Sequence, residues 1–146
     1  MKRSVRFLFV VAVAFVMTSC GAAATSPSEG ASVHDRASLL AALQAAGATA
    51  EVGDMITQDF FTAEGQFVTI NGTEGIQVFE YENGEAMEND ASQVAPDGGS
   101  IGTSMVNWVD SPHFYKSGRI IVLYIGNNET VLGLLETVMG KQFAGR

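Results

Sequence analysis

Residues 113–139 read HFYKSGRIIVLYIGNNETVLGLLETVM, and their pattern decides the fold. His113 to Lys116 is aromatic and extended in character, and Ser117-Gly118 supplies a turn. Arg119 to Ile125 is strongly apolar and β-branched, which marks a buried strand. Asn127 or Asn128 then caps a helix running through Met139. Val131, Leu132, Leu134, Leu135, Val138 and Met139 form its broad apolar face, and Gly140 stops it. The order is strand, turn, strand, helix.

The same order is found upstream. Gln66 to Ile70 predicts a strand, and Asn71-Gly72 predicts a hairpin turn into a second strand over Gly75 to Tyr81. That strand alternates Ile76, Val78 and Glu80 against Gln77, Phe79 and Tyr81, so one of its faces is partly exposed. Glu85 to Val94 follows as a polar helix with a thin stripe of Ala86, Met87, Ala91 and Val94. Aligning Gly75–Phe79 with Arg119–Leu123 places Glu85 over Glu129, so the two units have nearly equal spacing. Ahead of both, Asp35 caps a helix reaching Ala46, with Leu39, Leu40, Leu43 and Ala46 on one stripe. Thr49–Val52 and Met55–Phe61 read as short extended segments divided by Gly53-Asp54. The expectation is an α+β domain over residues 32–146: an N-terminal helix, then two strand–strand–helix units, forming an antiparallel sheet with helices on one face. Ala95 to Pro112, rich in glycine and serine, reads as a long surface loop in which Met105–Val109 forms an extra edge strand.

The first 31 residues are a different object. Lys2, Arg3 and Arg6 precede an uninterrupted apolar run, Phe7 to Met17, and residues 1–19 have the grammar of a secretory signal peptide. At ~1.5 Å rise per residue that run is too short to span a bilayer of ~30 Å. Val16-Met17-Thr18-Ser19-Cys20-Gly21 resembles a bacterial lipobox, with Met17 where leucine is more usual. The resemblance implies that a diacylglyceryl group is attached to the Cys20 thiol and that the signal is cut just before it. A thiol suits this chemistry because it is a far better nucleophile than a hydroxyl near neutral pH. Residues 20–31 are then the lipidated cysteine and a flexible linker of small and polar residues. The expected location is the cell membrane or outer envelope, reached by export and held by the lipid, with a membrane and an envelope protein as partners.

Charge supports that division. The chain carries 8 basic and 16 acidic residues, and losing the three basic residues of the leader takes the net charge from −8 to −11. A domain so acidic is repelled by anionic headgroups and needs its anchor. It is equally unsuited to nucleic acid, whose phosphates demand a basic face.

Chemistry-bearing patterns are sparse. The single cysteine excludes an internal disulfide and a cysteine-built metal site. The two histidines, His34 and His113, lack partners at ligand spacing, so no metal and no cofactor is expected. Glu80, Glu82, Glu85, Glu88 and Asp90 do not match a calcium loop and read as a solvated helix face. Gly98-Gly99-Ser100-Ile101-Gly102 offers amides to an anion but fits neither the P-loop nor the dinucleotide fingerprint. Asn71-Gly72-Thr73 and Asn128-Glu129-Thr130 satisfy the glycosylation sequon, and a hairpin turn and a helix cap explain them better.

Ser100 to Gly126 is the most distinctive stretch, bringing Trp108, His113, Phe114, Tyr115 and Lys116 close in sequence. Two readings stand side by side: an aromatic face buried on helices with a tryptophan sealing the sheet edge, or a small ligand groove with Trp108, Tyr115 and His113 at its rim. Together with DRASLLAAL at 35–43, this stretch resembles small exported bacterial proteins, a resemblance that implies the domain boundaries and carries no catalytic residues over. The leading expectation is a non-catalytic binding or interaction module tethered to a membrane. The alternatives are a small-ligand pocket protein accessory to a transporter or enzyme, and a small hydrolase using His113 with a nearby acid such as Asp110.

Overall fold

The computed structural model describes residues 32–146, so the signal peptide, Cys20 and the linker lie outside the described residues. The chain runs α1 (Arg36–Ala45), β1 (Ala50–Ile56), β2 (Gly65–Ile70), β3 (Glu74–Glu80), α2 (Gly84–Ala91), β4 (Ser100–Ile101), β5 (Ser104–Met105), β6 (Pro112–Ser117), β7 (Ile120–Ile125), α3 (Glu129–Met139) and β8 (Ala144–Gly145). The architecture is α+β, as the repeated strand–strand–helix pattern leads one to expect.

Local chemistry sets each element. α1 opens on a reciprocal cap: the Ser38 amide donates to Asp35 Oδ1 at 2.8 Å, and the Asp35 amide donates to Ser38 Oγ at 3.0 Å. The hydrogen bonds from Ser38 hold the Asp35 carboxyl below the usual carboxylate range. Asn83 and Asn128 cap α2 and α3 by a one-way bond, accepting from the Ala86 and Thr130 amides at 2.9 and 3.0 Å. Asn71 and Gly72 both take positive φ, 52° and 72°, as the β2–β3 turn requires. The second hairpin turns on Gly118-Arg119 rather than on Ser117-Gly118, because Ser117 and Ile120 still pair across the ladder.

The two hairpins lie side by side. Their inner strands β3 and β7 pair antiparallel with Val78 opposite Val122, and the six-stranded order is β1-β2-β3-β7-β6-β8. β1 is one continuous strand; the Gly53-Asp54 interruption is a bulge between Val52 and Met55, not a break. Phe60 and Phe61 leave the strand and pack edge to face, 5.0 Å apart between ring centres. At the opposite edge the last residues add β8 against β6, an element whose two-residue length leaves no periodicity to read. Met105–Val109 does not join the sheet. Ser104 and Met105 close a separate two-residue ribbon with β4, and Met105 and Val109 stand 91% and 96% exposed.

Strand alternation divides the core into two layers. Val68, Ile70, Ile76, Val78, Tyr115, Ile120, Val122 and Tyr124 face Leu39 and Leu43 of α1 and Val131 and Leu135 of α3. This is the expected sheet face covered by helices. Phe79, Phe114, Ile121 and Leu123 point the other way and meet Met87 and Ala91 of the short α2, together with Phe61 and Ile101. The aligned strands therefore keep the same register, Ile76 with Ile120 and Val78 with Val122, while α2 sits across the sheet from α3. Among the described residues no helix is long and apolar enough to cross a membrane.

Candidate functional site

β6 separates the three aromatic candidates. Successive strand side chains point to opposite faces, so His113 and Tyr115 face α3 while Phe114 faces the aromatic layer. Trp108 stacks edge to face on Phe114 and Phe60, with ring centres 5.9 Å away in each case, and its indole N–H donates to the Gly98 carbonyl at 2.6 Å. The expected groove with Trp108, His113 and Tyr115 at one rim is therefore not formed. Trp108 belongs to packing on one side of the sheet, and the other two residues lie on the opposite side.

His113 and Tyr115 do border a cleft, of about 350 Å3, between β6 and α3. Leu132 and Glu136 reach it from the helix, and Lys141 and Gln142 from the segment after the Gly140 stop. The His113 side chain is 5% exposed and its ring stacks on Tyr124, 6.1 Å between centres. Its Nδ1 lies 2.6 Å from Gln142 Oε1, which only accepts, so Nδ1 carries the proton. Nε2 is buried without a partner among the described residues. Burial and the neighbouring Glu136 carboxylate push the Tyr115 hydroxyl pKa up, so Tyr115 stays a proton donor across the physiological range.

Among the described residues Asp110 and His113 do not pair. The Asp110 carboxylate is engaged by the Ser111 amide at 2.7 Å and by the Asn127 side chain, not by His113. Nor is the glycine run open to an anion: the Gly98 amide donates to Ala95 O, the Gly99 amide to Asp97 Oδ1 and the Gly102 amide to Gln93 O. Among the described residues no three histidines, cysteines or acids come together to hold a metal ion.

The acidic series is not uniformly solvated. Glu80 pairs with Arg119 at 2.7 Å, and Glu88 pairs with Lys116. Asp90 is 3% exposed and accepts from both the Thr62 amide and the Thr62 hydroxyl, at 2.7 and 2.9 Å. It pins the 57–64 loop onto α2. Nearby, Tyr81 Oη is buried without a partner in hydrogen-bond geometry among the described residues, and burial together with the Asp90 charge raises its pKa. Asp90→Ala leaves the Thr62 amide unpaired, and loss of charge-assisted bonds of this kind costs about 2–3 kcal/mol. A urea midpoint unchanged from wild type would show that the contact does no structural work.

Sequence reasoning missed Glu136, Lys141 and Gln142. Glu136 carries a readable signal, since it falls four residues after Leu132 on one helix face. Lys141 and Gln142 carry none, because they follow the helix stop in a segment without periodicity. Compared with known proteins, the chain matches no family model, no curated protein and no solved structure.

Proposed function

We propose that the chain is an exported lipoprotein, anchored through Cys20 to the cell membrane or outer envelope, whose α+β domain is a non-catalytic binding module. The leader grammar and the lipobox resemblance support the anchor. The linker supports a site of action near the bilayer, since residues 21–31 reach at most ~36 Å at ~3.3 Å each. The observation that carries the non-catalytic reading is the hydrogen bond from His113 Nδ1 to Gln142 Oε1 at 2.6 Å. A carboxamide orients the ring but supplies no negative charge to stabilise an imidazolium, as the carboxylate of a catalytic triad does.

An envelope protein is the partner the tether favours. A small-ligand role is the second reading, and the open cleft between β6 and α3 favours it. The anchor is tested by labelling cells with radioactive palmitate and fractionating them. Wild-type chain is expected in the membrane fraction with label, and Cys20→Ala is expected to lose the label and leave that fraction or remain uncleaved. Label retained by Cys20→Ala would overturn the anchor.

A further inference from the structure

We infer that the cleft between β6 and α3 binds a small zwitterion of amino-acid size, holding its ammonium group by Glu136 and its carboxylate by Lys141. The assignment rests on the small-ligand reading and names its ligand class. At about 350 Å3 the cleft lies near the lower end of small-molecule sites, roughly 300–1,000 Å3, so it suits an amino acid better than a larger metabolite.

Two independent features of the walls point to that chemistry. Glu136 and Lys141 are opposite charges on one cleft, yet among the described residues neither enters an ion pair, with the other or elsewhere. A ligand bearing both charges in opposite sense satisfies both at once. The second feature is the buried His113 ring in the same wall. With its Nδ1 proton donated to Gln142, Nε2 has a lone pair that no group among the described residues fills. Buried acceptors are almost always paired, and a ligand N–H donated to Nε2 completes this one. Leu132 offers an apolar surface to the ligand side chain.

The route to Nε2 is the segment beyond α3. Gly140 ends the helix with φ 84°, and the exposed Lys141 and Gln142 follow it directly. A shift of the Lys141 side chain, with Gln142 kept on Nδ1, opens the imidazole to the cleft without disturbing the sheet.

The test is a 1H–15N NMR titration of the full detergent-solubilised chain with L-leucine. Isovalerate, which lacks the ammonium group, and isoamylamine, which lacks the carboxylate, serve as half-ligands. Leucine is expected to give saturable shifts centred on the Gly133, Lys141 and Gln142 amides. Each half-ligand is expected to bind at least about tenfold more weakly, as is leucine to Glu136→Gln or Lys141→Gln, since each loses one charge-assisted contact. Both substitutions are at exposed positions and leave the core untouched. No saturable shift at millimolar leucine, shifts centred elsewhere, or half-ligands binding as well as leucine would overturn the assignment. Palmitate labelling reads the anchor separately: a labelled chain that ignores leucine loses the zwitterion site and keeps the tether.

Discussion

Gly118→Ala is expected to destabilise the domain by about 3–5 kcal/mol, one of the largest effects of any single methyl group in this chain. Gly118 sits at φ +56°, where an L side chain costs about 1–2 kcal/mol by itself. A Cβ there would also overlap the Cα and the carbonyl oxygen of His34, which is backbone and cannot swing aside. The entering chain at 33–35 must then lift off the β6–β7 turn. Lifting it breaks the bond from the Arg119 amide to His34 O at 2.9 Å and the bond from Ser117 Oγ to Val33 O. It also uncovers Val33, which is 5% exposed, and loosens the Asp35 cap that starts α1. Gly72→Ala is the control. Gly72 has a similar φ of 72° but open space around it, so only the backbone term of about 1–2 kcal/mol applies. Equal urea midpoints for the two variants would show that the docking of residues 33–35 on the turn contributes nothing.

Phe114→Ala is expected to cost about 3–5 kcal/mol and to move the fluorescence of the sole tryptophan to longer wavelength. Phe114 is fully buried and touches Phe61, Trp108 and Phe143 at 6.4, 5.9 and 6.1 Å between ring centres. Its removal opens the aromatic layer beneath Trp108 and lets water reach the indole. Tyr115→Phe, one residue away on the strand, faces α3 and should leave the Trp108 emission where it is. That contrast reads the division between the two faces directly. A Trp108 emission that responds to Tyr115→Phe as it does to Phe114→Ala would place all three side chains in one groove.

The two hairpins and three helices were legible because each carries its own local chemistry. Asn71-Gly72 demands a turn, Asp35 and Asn128 supply caps, and the leucines of 129–139 repeat at helical spacing. What escaped the sequence was relational. Gly53-Asp54 reads as a separator but is a bulge, since the partner strand β2 continues past it. The two units align in register, yet nothing in the polar α2 sequence says which face of the sheet it covers. Asp90 looks like one more solvated acid until the Thr62 loop is folded onto it. The aromatic candidates were grouped because they are near in sequence, and the two-residue period of β6 then split them across the sheet. The cleft was hidden for the same reason: its walls come from β6, α3 and an aperiodic segment after the helix stop.

Mass spectrometry of the N-terminal peptide, from native protein extracted from membranes, tests the tethered-module account most directly. The account predicts a chain beginning at Cys20, with diacylglyceryl on its sulfur. A mature chain that begins elsewhere, or a Cys20 thiol that is free, would contradict it.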